Sequence, residues 1–191
     1  MVMTQRQALE VLQIHRADKV VITTMSAVGI WPGLSDTPLD FAYIPSTMGQ
    51  GPGLGLGLAL AQPERGVIVV NGDGCTLMSL GSLVTMANHP ANLFVIIMNN
   101  GIYEVTGGQP TAGQGHVDFT AIAGASGVER CYSFDTLEAW ADGAAEALSG
   151  IGPVVIELKV EARLGQKTPK APRPMVEQVR RLQGALSKSQ G

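Results

Sequence analysis

Charge is scarce in this 191-residue chain. Asp, Glu, Lys and Arg together make up 15%, and the formal net charge is −3. With no basic cluster and only 5% aromatic residues, nothing is available to neutralise a phosphate backbone or to stack on bases, which excludes nucleic acid as a partner. Cysteine is scarcer still. Cys75 and Cys131 lie far apart without CxxC spacing, so the chain holds neither a disulfide framework nor an all-cysteine iron–sulfur site, and reduced thiols point to the cytoplasm. Long apolar runs are missing as well. The most membrane-like stretch, GLGLGLALA (53–61), is too short and too rich in glycine to span a bilayer. The opening MVMTQRQALEVLQIHRADK is polar at once and does not read as a signal peptide. What is abundant is apolar surface (45%) and glycine (24 residues), the composition of a soluble globular protein with much buried or self-associating surface.

Strand and helix patterns alternate along the chain. Thr4 is placed to cap a helix running through His15, with Ala8, Val11 and Leu12 on one face. Residues 19–24 (KVVITT) read as an apolar strand, and residues 29–45, punctuated by Gly and Pro, as a loop or a helix turn plus loop. Residues 49–62 read as a helix after Pro52, which needs tertiary contact to offset its glycines. Strands follow at 66–70 and 93–98, with a helix at 77–87 between them. Helices at 118–126 and 136–148 flank a short strand at 130–133, and residues 153–160 close the series. Strands that are apolar throughout, separated by helices, predict an α/β fold: a doubly wound, mainly parallel sheet covered on both faces, in a single domain over residues 1–162. Residues 163–191 read as a charged, Pro-bearing tail ending in an amphipathic docking helix at 175–186. No internal repeat is visible.

Two of these strands run into polar groups. VIVV leads into Asn71-Gly72-Asp73-Gly74, and LFVIIM leads into Asn99-Asn100-Gly101. Asn, Gly and Asp are turn residues, so each end alone is readable as a tight turn. The spacing from Asp73 to Asn100 is that of one βαβ unit, however, which brings the carboxylate and the amide out side by side at the carboxyl edge of the sheet. Oxygens of this kind, with coordination positions left for phosphates and water, suit Mg²⁺. The glycines flanking Asp73 let backbone N–H groups approach a diphosphate at the start of the next helix.

In this context GDG followed by NN resembles the motif of thiamine diphosphate (ThDP)-dependent enzymes. STMG (46–49), GLGLALA (55–61), GDGCTLMSLGSLVTMA (72–87) and NNGIYEVTGGQPT (99–111) extend the resemblance, over about residues 44–126, to the ThDP-binding half of phosphonopyruvate and sulfopyruvate decarboxylases. The resemblance implies that Asp73, Asn100 and the carbonyl of Ile102 ligate Mg²⁺. It implies that Gly72, Gly74 and Cys75 belong to the diphosphate site, with the N–H groups of Gly74 and Cys75 as donors. Met48 would wedge between the two cofactor rings, and the carbonyl of Ser46 would accept from the 4′-amino group. Tyr103 either lines the diphosphate pocket or packs. The chain departs from the family pattern GSMGH at Ser46 and Gln50. AVGIW (27–31) also replaces a polar run after the first strand, so the substrate is less constrained than the cofactor.

The family's activating glutamate belongs to a separate pyrimidine-binding domain, for which this chain shows no pattern. Glu10, Glu64, Glu104, Glu129, Glu138, Glu146 and Glu157 read mostly as solvated surface, with Glu104, beside the metal loop, the one able to approach the site. Glu104, His116 and Gln50 are the candidate catalytic groups; His15 and His89 read as surface. The expectation is therefore a ThDP- and Mg²⁺-binding subunit of a split 2-oxoacid decarboxylase, inactive alone. Its partner would be a pyrimidine-domain subunit in an α2β2 or larger hetero-oligomer. The alternatives are a ThDP-dependent carboligase or oxidoreductase subunit, or a non-catalytic ThDP-binding assembly subunit. A nucleotide-binding domain is disfavoured because no G-x-G-x-x-G opens a helix after the first strand.

Overall fold

The computed structural model describes residues 2–187. Its first helix, α1 (Gln5–His15), starts on a capping box. Thr4 Oγ1 accepts from Gln7 N at 3.2 Å, and Gln7 Oε1 accepts from Thr4 N at 2.9 Å. Then follow β1 (Val20–Thr23), β2 (Asp40–Ala42), α2 (Gly51–Ala61), β3 (Val67–Gly72), α3 (Asp73–Leu77), α4 (Gly81–Asn88) and β4 (Leu93–Asn99). A small hairpin of β5 (Ile102–Tyr103) and β6 (Gln109–Pro110) leads to α5 (Phe119–Ala125), β7 (Arg130–Phe134), α6 (Leu137–Ala147), β8 (Val154–Lys159) and α7 (Met175–Ser187).

The six long-range strands form one sheet in the order β2-β1-β3-β4-β8-β7, every neighbouring pair parallel. Alternation along each strand divides the core in two. Val21, Ile68, Val70, Phe94, Ile96 and Ile156 pack with α1 and α6, where Trp140 Nε1 donates to the carbonyl of Ala8 at 3.0 Å. Val20, Ile22, Val67, Val69, Val95 and Ile97 pack with Leu56, Leu83, Met86 and Phe119 of α2, α4 and α5. Both faces are thus covered, which is why the strands carry so few polar side chains. The strand order turns back between β1 and β3, and at such a point the loops above the carboxyl ends diverge and leave a crevice.

Two local expectations are revised. Residues 29–45 hold the helix turn and loop that one reading of the sequence expects, and also a strand that neither reading does. A 3-10 turn at Met25–Gly29 and another at Trp31–Gly33 precede β2, an added edge strand. That strand is three residues long and is fixed by non-local bonds: Arg16 Nη1 reaches Asp40 Oδ1 at 2.6 Å and Trp31 Nε1 donates to the same oxygen at 2.9 Å. The helix expected at 77–87 is two helices, because the chain turns helical already at Asp73 and breaks before Gly81.

The tail returns to the same sheet. Val160 bridges Met3, Arg163 bonds Glu104, Thr168 Oγ1 donates to the carbonyl of Val105, Arg173 pairs with Asp36, and α7 lies against β2. There the buried Gln178 accepts from Ala42 N at 2.8 Å, satisfying a donor that an edge strand would otherwise leave open.

Glycine in α2 has two different roles. A Cβ on Gly55 would run into Val69 and Leu93, so the helix sits on the sheet only because that side chain is absent. A Cβ on Gly57 would meet nothing within 4 Å. Gly55→Ala is therefore expected to destabilise the fold by about 1–3 kcal/mol through overpacking. Gly57→Ala should stabilise it by about 0.5–1 kcal/mol through helix propensity. Urea midpoints moving in opposite directions would bear this out; equal shifts would refute it.

Candidate cofactor site

A cavity opens at the crevice between β1 and β3. The end of β1 contributes Thr24, Met25, Ser26 and Ala27, β3 and its turn contribute residues 70–75, and β4 contributes Met98 and Asn100. Met48, Ile102, Tyr103 and Glu104 complete much of the wall. The register sets this meeting. Gly72 pairs with Met98, so β3 releases Asp73 at the level where β4 releases Asn99 and Asn100.

Asp73 is 2% exposed. Its Oδ2 accepts from Gly101 N at 3.0 Å and from Thr111 Oγ1 at 3.1 Å, so the loop after β4 and the strand end after β6 both close on it. Burial pushes its pKa up, opposed by hydrogen bonds from Gly74, Thr111 and Gly101. Gly101 takes φ +73°, a conformation that suits glycine, and this turn aims its N–H at the carboxylate. A Cβ on Gly74 would collide with the ring of Tyr103, which lies over this turn. Beside them Cys75 is buried, and burial raises its thiol pKa, the reverse of what a nucleophile needs.

The two asparagines ending β4 point to opposite sides, as consecutive strand residues must. Asn99 Nδ2 donates to Glu157 Oε1 at 2.7 Å, and Ser133 Oγ donates to Glu157 Oε2 at 3.1 Å. Asn100 Nδ2 donates to Glu104 Oε2 at 2.8 Å, while Asn100 Oδ1 accepts from Ile102 N at 3.0 Å. Glu104, 4% exposed, also accepts from Gln5 Nε2 at 2.6 Å and from Arg163 Nη2 at 2.9 Å. Both glutamates are buried: Glu104 lies at the site that its place beside the loop suggested, whereas Glu157 is not the solvated residue its sequence position suggested.

Of the residues singled out from sequence, Met48, Gly72, Asp73, Gly74, Cys75, Asn100, Ile102, Tyr103 and Glu104 line this one cavity. Ser46, Gln50 and His116 are not among its lining residues. Ser46 Oγ is buried and has no hydrogen-bond partner among the described residues. Gln50 is exposed at the start of α2, and His116 is exposed in the loop between β6 and α5. Several contributors went unnoticed. Asn71, 1% exposed, accepts from Thr24 Oγ1 at 3.1 Å and donates to Thr76 Oγ1 at 3.0 Å, tying β1 to α3. Met25 takes φ +47°, a strained conformation for methionine at the cavity wall. Thr111 lies within the TGGQPT run and was legible there; Gln5 and Arg163, remote in sequence, carried no local signal.

Among the described residues no group of three or more His, Cys, Asp or Glu gathers to hold a metal ion. Asp73, Asn100 and Ile102 all line the one cavity, and oxygen donors of their kinds are those that Mg²⁺ takes alongside phosphate oxygens and water.

Fold and site together define a ThDP-binding α/β domain. Residues 31–158 match the thiamine pyrophosphate enzyme C-terminal TPP binding domain, and the chain belongs to that family. Phosphonopyruvate decarboxylase of Streptomyces viridochromogenes is 38% identical over 160 residues, which cover 82% of this chain and 40% of that protein. Sulfopyruvate decarboxylase subunit beta of Methanothermobacter thermautotrophicus is 38% identical over 129 residues, 67% of this chain and 65% of that subunit. The chain thus spans less than half of the first relative and just under two thirds of the second. The benzoylformate decarboxylase structure from Polynucleobacter necessarius shares the fold, with a TM-score of 0.72 at 21% identity over 87% of this chain and 34% of that one.

The raised pKa of Asp73 has a testable sign. The metal-free folded chain holds this proton more tightly than the unfolded chain, so stability falls as pH rises from the ordinary carboxylate range through the raised value. Asp73→Asn should remove that loss and raise the urea midpoint of the metal-free chain at pH 7. A lower midpoint would mean that the hydrogen bonds from Gly101 and Thr111 outweigh burial.

Proposed function

We propose that this chain binds ThDP with Mg²⁺ and acts as the diphosphate-gripping subunit of a 2-oxoacid decarboxylase. The observation that carries the reading is the convergence of Asp73 and Asn100 on one cavity at the sheet's turning point, beside the glycine-flanked turn at Gly74. Asp73, the Asn100 amide oxygen and the Ile102 carbonyl would hold the metal. The N–H groups of Gly74 and Cys75 would donate to the diphosphate. Met48 would support the bent form of the cofactor, and the Ser46 carbonyl would accept from the 4′-amino group. When bound, ThDP supplies an electron sink for the pair released as CO₂ leaves a 2-oxoacid. Residues 1–162 form the cofactor-binding unit and 163–191 its tail. Gln50 and His116, exposed and outside the cavity lining, are the candidates for contact with substrate in the assembled protein.

The activating glutamate comes from a pyrimidine-domain subunit, in a cytoplasmic hetero-oligomer of α2β2 type or larger. Two relatives support this by name, being beta subunits of sulfopyruvate decarboxylases. Glu104 supports it too: held by Arg163, Gln5 and Asn100, its carboxylate is poorly placed to serve as a free base. No helix among the described residues is long and apolar enough to cross a membrane.

The test is CO₂ release from pyruvate, sulfopyruvate, phosphonopyruvate and benzoylformate, with and without a pyrimidine-domain subunit. Turnover is expected only with the partner; robust turnover by this chain alone would refute the split arrangement. In the assembled protein, Asp73→Ala should abolish the thermal shift produced by ThDP and Mg²⁺, and a preserved shift would reduce the motif to a turn. Met48→Ala should lower turnover more than it lowers Tm, whereas undiminished activity would make Met48 plain core.

A further inference from the structure

An asparagine amide has nearly the same shape on its oxygen and nitrogen sides, so a site that needs the oxygen must select one of two orientations. At Asn100 the selection is made twice. Ile102 N donates to Oδ1 at 3.0 Å, and Glu104 Oε2 accepts from Nδ2 at 2.8 Å. An ionised carboxylate only accepts, so Glu104 tolerates the NH₂ and rejects the oxygen. Glu104 is itself fixed: Gln5 Nε2 donates to it at 2.6 Å, and Arg163 donates from Nη2 at 2.9 Å and from Nε at 3.2 Å. The turned amide would set oxygen against carboxylate and NH₂ against N–H, both in a partly buried setting.

We infer that Glu104 is a positioning residue that fixes which side of the Asn100 amide carries the oxygen, leaving the lone pair not used by Ile102 N for the metal; the inference rests on the Mg²⁺ reading above. Arg163 extends the assembly to the tail, since it anchors the carboxylate from 59 residues away in sequence. Glu157 is the internal comparison. It makes the same kind of bond to Asn99, but on the other side of the strand, and it does not line the cavity.

The experiment uses Mn²⁺ as a spectroscopic probe of the metal position, with ThDP, on the chain assembled with a pyrimidine-domain subunit and on four variants assembled likewise: Asn100→Asp, Glu104→Gln, the two combined, and Glu157→Gln. Bound Mn²⁺ is read by electron paramagnetic resonance and folding by urea midpoint. Asn100→Asp adds an anionic oxygen, which by itself would strengthen a cation site. Here it is expected to weaken Mn²⁺ binding by about tenfold or more, the scale for disturbing the partner of a ligand, because the new carboxylate faces Glu104. Glu104→Gln should weaken it too, since a carboxamide accepts or donates and selects neither orientation. The combined variant should recover affinity beyond both singles, because the carboxamide at 104 can donate to the carboxylate at 100. Glu157→Gln should leave affinity within about twofold of wild type. Wild-type affinity in Asn100→Asp, or a combined variant that folds but binds no better than the weaker single, overturns the inference while leaving the metal reading intact. If Glu104→Gln does not fold, Asn100→Asp alone decides by the same criterion. Absence of ThDP-dependent Mn²⁺ binding by the wild type overturns both readings.

Discussion

Parallel hydrogen bonding between β3 and β4, with Gly72 opposite Met98, is the constraint on which the rest depends. Both strands are covered on both faces, so neither can carry a charge along its length without burying it unpaired. Polar groups are therefore confined to the strand ends, and the register decides which ends meet. A shift of one residue would send Asn100 to the side now taken by Asn99, and the two donors to the cavity would separate. The turn back of the strand order at β1 and β3 then leaves this edge accessible from above.

Three buried carboxylates near this edge are stabilised in three ways. Glu104 has a cation, Arg163, together with amide donors. Glu157 accepts from the neutral side chains of Asn99 and Ser133. Asp73 accepts from Thr111 and from backbone N–H groups, and burial still raises its pKa above the ordinary carboxylate value. Asp73 lines the cavity and, among the described residues, accepts only from neutral donors, which fits its proposed role.

Much of this was legible in the sequence. Strands that are apolar throughout announce their own burial, so β1, β3, β4 and β8 were readable to within a residue or two. The alternation with helices gave the parallel, doubly wound architecture. Asp73 and Asn100 were legible from their spacing because both sit at strand ends, where topology is simplest, while Met48, Cys75, Ile102 and Tyr103 came with the family resemblance. The misses share a cause. β2 is three residues long and exists through the Arg16–Asp40 pair and its pairing with β1, neither of which leaves a periodic trace. The burial of Glu104 and Glu157 depends on donors from distant parts of the chain, Gln5 and Arg163 for one and Ser133 for the other. A polar residue's partner, unlike its hydropathy, is not written beside it.

The position of β8 in the sheet has a consequence for how the molecule comes into being. It is the last of the sheet strands to be synthesised, yet it lies inside the sheet, between β4 and β7. Until it emerges from the ribosome, β4 presents the apolar stretch LFVIIM with an unpaired edge, and β7 has no neighbour at all. Such an edge is a template for pairing with another chain. The nascent protein thus passes through a stage in which Asp73 and Asn100 already exist but the sheet that presents them is open on one side. Chaperone protection during that interval, more than the stability of the finished fold, is what its yield in a cell would depend on.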